Sequence, residues 1–165
     1  MELVDPLGQE QALRRVYGLV PSGVLVLAAT VSGVRVGMSV SSFSTVSLNP
    51  ALLAVNIRRE SSTWPTLTEA QHIGVSLLAH GQGEIGRQLA GNNRESRFDG
   101  VAHVAEDSGA VYIKGAVAWM ETTHRDSVDA GDHTIELLHL IRTAATPSSD
   151  PLVFHRSRFA TLVRP

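Results

Sequence analysis

Residues 24–38 read VLVLAATVSGVRVGM, and this stretch decides the fold. Two apolar runs rich in valine and leucine stand on either side of the dipeptide Ser32-Gly33. A short glycine-containing turn between two such runs is typical of a β-hairpin. The sequence therefore predicts two antiparallel strands, at about 24–30 and 34–38.

The rest of the chain continues this strand-rich pattern. Further strands are predicted at 52–57, 73–78, about 110–124, 133–143 and 152–162. Short helices are predicted at 9–18, 63–70 and 84–90. Because strands and helices do not alternate regularly, the pattern favours a mainly antiparallel barrel with a few short helices over a doubly wound sheet.

Composition narrows the possible functions. The chain of 165 residues fits a single domain spanning 1–165. It has no cysteine, which excludes disulfides, thiolate nucleophiles and cysteine-ligated metals. The net charge is −2 and no basic run occurs, so a nucleic-acid partner is not expected. The acidic, proline-containing start is unlike a signal peptide, and no apolar run is long enough to span a membrane. A cytoplasmic protein without a membrane partner is therefore expected.

Small hydroxyl side chains cluster just after the predicted hairpin, where residues 37–47 read GMSVSSFSTVS. Strands usually have β-branched or aromatic side chains at such positions. Small side chains let a flat ligand approach the backbone, whose N–H and C=O groups can bond a heteroaromatic edge. The alternative interpretation is a serine-rich strand end at a solvated rim.

A second polar segment, IRRESST at 57–63, stands directly before a predicted helix. Hydroxyls and backbone N–H groups at a helix N-terminus can bind an anion, and Arg58 or Arg59 can add charge. Simple N-capping by Thr63 explains the same residues. A third segment, GDHTI at 131–135, places His133 after a tight turn, where it is either a ligand contact or an ordinary surface residue.

Two other patterns are weaker. Residues 81–86 read GQGEIG and match a dinucleotide-binding fingerprint, but the helix that follows ends too soon at Gly91 and no second parallel strand is evident. The seven histidines include no His-x-x-x-His pair, and the aspartates at 126, 129 and 132 miss the spacing of a calcium loop. No metal site is predicted.

Taken in order, these segments resemble the flavin reductase-like family, the FMN-binding split barrels that include reductase components of two-component monooxygenases. The resemblance covers about residues 14–162. It rests on the segments YGLVPSGV at 17–24, GMSVSSF at 37–43, VSLNP at 46–50, SST at 61–63, RF at 97–98 and GDH at 131–133. It implies an antiparallel Greek-key split β-barrel over about 22–163, preceded by the helix at 9–18. It also implies a homodimer with flavin near the subunit interface.

The resemblance implies a set of flavin-binding residues. They are Met38, Ser39, Val40, Ser41, Ser42, Asn56, Ile57, Ser61, Ser62, Thr63 and Arg97. Residues 39–42 would line the isoalloxazine edge, with Asn56 and Ile57 beside the ring or the ribityl chain. Ser61 and Thr63 would hold the phosphate, and Arg97 would assist them.

The implied reaction is hydride transfer from NADH or NADPH to FMN or FAD, with His133 where the nicotinamide docks. Reduced flavin would then diffuse to a partner monooxygenase. Two alternatives stay open: a flavin-binding protein without turnover, and a split-barrel oxidoreductase that uses another flavin or a deazaflavin. The sequence departs from the family at 138–140, which read LHL where Gly-Glu-Val is usual. The larger Leu138 is expected to narrow the nicotinamide pocket.

Overall fold

The computed structural model describes Asp5 and residues 8–162. The N-terminal residues 1–4 and 6–7 and the predicted end of the barrel at 163 lie outside this part. Within it the helices are α1 (Glu10–Tyr17), α2 (Trp64–Leu67) and α3 (Gly83–Ala90). The strands are β1 (Ser22–Gly23), β2 (Leu25–Val31), β3 (Val34–Val40), β4 (Phe43–Leu48), β5 (Ala51–Arg58), β6 (Ile73–Leu77), β7 (His103–Ala105), β8 (Val111–Ile113), β9 (Ala118–Ala130), β10 (His133–Ala145), β11 (Val153–His155) and β12 (Arg158–Ala160).

The main sheet has seven strands in the order β3-β2-β6-β9-β10-β5-β4, and every neighbouring pair is antiparallel. The predicted hairpin is β2–β3, in which Val31 pairs with Val34 across the turn. The two edge strands, β3 and β4, are consecutive in sequence and only Ser41 and Ser42 separate them. The sheet therefore curls until its edges approach each other at this junction. This confirms the predicted split barrel.

The second strand is buried on both faces, which explains its unbroken apolar sequence. Leu25 and Leu27 point into the barrel with the interior cluster, whereas Val24 and Val26 pack on the outer side. The outer cluster also contains Leu89 of α3 and side chains from β8. Helix α3 and the small β7–β8 hairpin thus cover the outside of β2, and the end of α3 is held against the barrel.

Three sequence predictions differ from the structure. The predicted strand at 152–162 is the hairpin β11–β12, whose turn residues Arg156 and Ser157 have φ angles of 50° and 60°. The predicted strand at 110–124 is two strands, β8 and β9, and the predicted loop at 92–109 contains β7. The turn at Arg156 and Ser157 has no glycine or proline at its positive-φ positions and therefore no strong local signature, which explains why a continuous strand is predicted there.

The segment at 81–86 is not a dinucleotide-binding loop, and its Gly83 has a packing role. The preceding strand, β6, lies between β2 and β9 and is antiparallel to both, which excludes a parallel dinucleotide-binding unit here. A Cβ atom at Gly83 would lie 2.9 Å from the Phe159 ring, and one at Gly86 would lie 3.4 Å from it. Glycine at position 83 thus lets α3 approach the C-terminal hairpin, whereas the contact at Gly86 would be an ordinary one. Among the described helices, none combines the length and apolar character needed to cross a bilayer.

The buried carboxylate of Glu121, on β9, interacts with His72 and with Arg142 of β10. It is 2% exposed, its Oε1 lies 2.5 Å from His72 Nδ1, and Arg142 donates to Oε2. Burial alone would raise the pKa of Glu121, but hydrogen bonds from Arg142, Ser108 and His72 outweigh burial and lower it from 4.5 to about 2.

This carboxylate is expected to make stability depend on acid pH. Because the pKa of Glu121 is lower in the folded chain, its contribution is complete above about pH 4.5 and is lost as the pH falls towards 2. Urea unfolding at a series of pH values measures the slope of the free energy of unfolding against pH. In Glu121→Gln the slope in this window should be shallower than in the wild type. An identical slope in the two proteins would contradict the assignment.

Candidate functional site

A cleft of about 480 Å³ opens at the junction of β3 and β4. Its lining includes every predicted site residue: Met38, Ser39, Val40, Ser41, Ser42, Asn56, Ile57, Ser61, Ser62, Thr63, Arg97 and His133. The structure therefore brings the two hydroxyl segments and the histidine together in one place. Their individual roles stay predictions. Arg58 also lines the cleft, together with residues that sequence reasoning missed: Glu60, Leu89, Ala90 and Asn92.

The wall at the β3–β4 junction is narrow and made of small side chains. Asn56 N–H donates to the Ser42 carbonyl at 2.8 Å, and the Ser42 hydroxyl donates to the Asn56 carbonyl at 2.9 Å. These two bonds hold the junction against β5. Val40 and Ile57 are buried and give the wall an apolar base. The arrangement suits a flat ring that needs apolar contact on a face and polar contact along an edge.

The opposite end of the cleft is formed by residues 61–63. Ser61 Oγ accepts a hydrogen bond from the Trp64 N–H at 3.2 Å and so caps α2. Thr63 occupies the N-cap position, but its hydroxyl does not cap the helix; it accepts a bond from Arg97 instead. The expectation that Thr63 caps through its side chain is therefore wrong. Because α2 has only four residues, its dipole offers little to an anion, and the charge must come from elsewhere.

Arg97 supplies that charge from beneath the cleft. It is 8% exposed, and Nη1 donates to the Gly37 carbonyl at 2.7 Å and to Thr63 Oγ1 at 2.8 Å. Nε and Nη2 both donate to the Gly91 carbonyl, at 3.0 and 2.7 Å. Burial, and then the nearby charge of Arg94, lower the pKa of Arg97, but a guanidinium stays protonated in proteins.

This guanidinium has only neutral acceptors. Across residues 8–162 and Asp5, no carboxylate lies within 4 Å of it. A buried charge without a counterion is costly, and an anion in the cleft would reduce that cost. Thr63 accepts from Arg97, so its own hydroxyl hydrogen is free to be donated to such an anion. Arg94 supports the same segment by donating to the Ser62 carbonyl at 2.8 Å.

The third part of the cleft is the turn between β9 and β10. Gly131 has a φ of +68°, which allows a tight connection in which Ala130 pairs with His133. His133 Nδ1 lies 2.7 Å from Asp132 Oδ1. An ionised carboxylate only accepts, so Nδ1 carries the proton and Nε2 is left for the cleft. The hydrogen bond from His133, followed by its charge, lowers the pKa of Asp132.

Behind this turn lies a polar cluster that sequence reasoning missed. Glu136 is 2% exposed; Thr134 Oγ1 donates to it at 2.5 Å, His124 Nε2 lies 2.8 Å from it, and the Ser127 hydroxyl also donates to it. Burial alone would raise the pKa of Glu136, but the bonds from Ser127, Thr134 and His124 outweigh it and lower the pKa. The cluster fixes β9 against β10. In the sequence, the feature that could have indicated this cluster is a glutamate at a strand position that faces inward.

One expectation about a neighbouring residue is wrong. Leu138 does not narrow the cleft: it is fully buried in the barrel interior with Leu53 and Ile57, and it is absent from the cleft lining. Of Arg58 and Arg59, the two alternatives for adding charge, Arg58 lines the cleft and Arg59 does not. No group of three His, Cys, Asp or Glu side chains within the described residues is placed to hold a metal ion.

Comparison with known proteins gives a consistent result. Residues 17–163 match the family model described as Flavin reductase like domain. The chain is 38% identical over 162 residues to the NADH-dependent FAD reductase of Streptomyces globisporus, covering 96% of this chain and 88% of that protein. It is 33% identical over 154 residues to the FMN reductase (NADH) SmoA of Agrobacterium fabrum, covering 93% and 87%.

Solved structures agree with these relatives. The NADH:FAD oxidoreductase SgcE6 of Streptomyces globisporus C-1027, in complex with NAD and FAD fragments, superposes with a TM-score of 0.91 at 35% identity, covering 99% of this chain and 98% of that one. BorF, the flavin reductase component of a bacterial two-component tryptophan halogenase, superposes with a TM-score of 0.86 at 27% identity, covering 95% and 100%.

Proposed function

This chain belongs to the flavin reductase like domain family, and from that membership we propose that it transfers a hydride from NADH or NADPH to FMN or FAD held in the cleft. The observation that carries the proposal is the convergence of the β3–β4 junction, the buried Arg97 and His133 in one cavity. The relatives named as NADH-dependent FAD and FMN reductases support the same activity.

The cleft residues fit a flavin phosphate. A volume of about 480 Å³ lies within the range of small-ligand and cofactor sites. The junction wall offers an apolar base and a polar edge for the ring, and residues 61–63 offer hydroxyls for the phosphate. The uncompensated guanidinium of Arg97 beneath Thr63 is the feature that specifically favours an anionic group.

When bound, flavin supplies the hydride acceptor and the reduced nicotinamide supplies the hydride, so the protein's task is orientation. The junction at 41–42, which is held against β5 by the bonds between Ser42 and Asn56, would position the ring edge. Thr63 and Arg97 would bind the phosphate of the flavin and so fix the position of the ligand along the cleft. His133, with Nδ1 held by Asp132, presents Nε2 to the nicotinamide carboxamide. Correct placement of two rings can account for most of the rate.

We also propose the setting in which this reaction occurs. Relatives such as BorF are reductase components of two-component systems, which supports transfer of reduced flavin to a flavin-dependent monooxygenase partner. The protein would act as a homodimer, as the family resemblance implies, and in the cytoplasm, where nicotinamide coenzymes are held. The chain would function as one domain over residues 1–165.

Anaerobic NADH oxidation tests the proposal. Purified protein is mixed with NADH and with FMN, FAD or riboflavin in turn, and absorbance is followed at 340 nm for NADH and 450 nm for oxidised flavin. We expect stoichiometric loss of both bands with FMN or FAD at catalytic protein concentrations. The same series with NADPH determines the coenzyme preference.

If the protein binds flavin but does not accelerate its reduction by NADH or NADPH, this result would contradict the reductase proposal and favour a non-catalytic flavin-binding protein. The departure from the family at Leu138-His139 favours that alternative, but Leu138 itself is buried in the core and does not line the cleft. Turnover with a deazaflavin but with neither flavin would instead favour the third interpretation of the sequence.

A further inference from the structure

Arg59 connects two walls of the cleft without lining it. Its Nε donates to the Gly131 carbonyl at 2.7 Å, and Nη2 lies 2.8 Å from Asp129 Oδ1. Its backbone N–H donates to the Asp132 carbonyl at 3.1 Å. Three contacts from one residue thus reach three of the four positions that immediately precede His133.

The two walls joined in this way have different predicted ligands. Arg59 belongs to the segment that leads into the phosphate end at 61–63, whereas the end of β9 and the turn at 131–132 carry His133 at the nicotinamide end. Two neighbours of Arg59, Arg58 and Glu60, line the cleft, but Arg59 itself points to the turn. Its side chain therefore acts on the site through the turn and not by touching a ligand.

We propose that Arg59 is a positioning residue for hydride transfer, which fixes the β9–β10 turn and with it the place of His133 relative to the flavin. This inference rests on the proposed function. We expect this turn to need stabilisation by a neighbouring side chain, because Asp132 is exposed and glycine, at position 131, is the most conformationally free residue type. The bond to the Gly131 carbonyl is charge-assisted and is expected to matter more than the exposed ion pair with Asp129.

Steady-state kinetics of Arg59→Ala test the proposal. We expect kcat/KM for NADH to fall about tenfold, because small displacements of positioning groups have large effects on rate. The flavin dissociation constant, measured by fluorescence quenching, should stay within about twofold of the wild type. Amide hydrogen exchange at residues 129–133 should become faster, since the turn has lost its brace.

Matched variants separate the contacts. Asp129→Asn removes only the exposed ion pair and should change kcat/KM by less than about twofold. Arg59→Lys keeps a charge near Asp129 but lacks Nε, so it should lie between the wild type and Arg59→Ala. Arg87→Ala removes an exposed arginine paired with Glu84 on α3 and serves as the control, with wild-type kinetics expected.

Three results would overturn the proposal. Unchanged NADH kinetics in Arg59→Ala, with an active wild type, would overturn this inference alone. A rise in the flavin dissociation constant as large as the loss in kcat/KM would show that Arg59 serves flavin binding and not the position of His133. A wild type that oxidises no NADH with any flavin would overturn the proposed function, and this inference with it.

Discussion

Replacing Arg97 with methionine is expected to weaken FMN binding about a hundredfold while weakening riboflavin binding far less. Riboflavin is the same ring system without the phosphate, so the difference between the two ligands isolates the anionic group. The buried guanidinium has no carboxylate partner among the described residues, and it donates to Thr63 Oγ1, which leaves the Thr63 hydroxyl hydrogen available for an anion. Methionine can replace the unbranched apolar part of the arginine side chain, but it offers neither the charge nor the donors.

The effect of Arg97→Met on stability is expected to be smaller than its effect on binding. The substitution leaves the carbonyls of Gly37 and Gly91 without the donors that they have in the wild type. Each unsatisfied buried acceptor costs about 1–3 kcal/mol. Removing a buried charge that lacks a counterion offsets part of this cost. A net loss of about 2 kcal/mol in the free energy of unfolding is therefore expected for the protein without ligand.

Flavin fluorescence quenching and urea unfolding measure the two quantities. Thr63→Val is the matched control, because it removes the hydroxyl but keeps the guanidinium and the shape of the side chain. We expect it to weaken FMN binding about tenfold, again with little change for riboflavin. Equal losses for FMN and riboflavin in Arg97→Met would show that Arg97 only supports the shape of the cleft, and would contradict the assignment of a phosphate end.

The strand pattern was predictable because it is encoded locally. The β2–β3 hairpin follows from two apolar runs and a Ser-Gly turn, and the structure has the same strands to within two residues. The division of the last strand into β11 and β12 was missed because Arg156 and Ser157 adopt positive φ angles without a glycine. Leu138 was assigned to the wrong face, since neighbouring strand residues point to opposite sides and a motif alignment does not show which side is inward.

The residues that line the site could be predicted from the sequence, but the hydrogen bonds among them could not. Family resemblance suggested that Arg97 assists the phosphate, and Arg97 does line the same cleft as Thr63. No local pattern indicates that one guanidinium would bind the carbonyls of both Gly91 and Gly37, because the contact with Gly37 spans 60 positions of the sequence. The same holds for the cluster around Glu136, whose partners come from two strands. Such contacts depend on tertiary packing, which periodicity does not describe.

Gly74→Ala is expected to give the largest loss of stability. Gly74 lies in β6, an interior strand of the seven-stranded sheet. A Cβ atom there would lie 2.2 Å from the Val111 carbonyl oxygen and 2.8 Å from the Val111 nitrogen. These are backbone atoms of β8, so no side-chain rotation relieves the overlap. Either β8 or β6 must move, and both Gly74 and Val111 are buried. Glycine in a strand often marks such a close approach of two backbones.

The expected cost of Gly74→Ala is about 3 kcal/mol or more, which corresponds to a fall in melting temperature of roughly 10 °C for a chain of this size. Gly86→Ala on α3 is the matched control. There the new Cβ would make an ordinary contact of 3.4 Å with Phe159, and alanine favours a helix by about 1 kcal/mol over glycine. Thermal unfolding should therefore give clearly different melting temperatures for the two variants, with that of Gly86→Ala equal to or above the wild-type value. A Gly74→Ala protein that melts within about 2 °C of the wild type would mean that β8 does not cross β6 as closely as the structure has it.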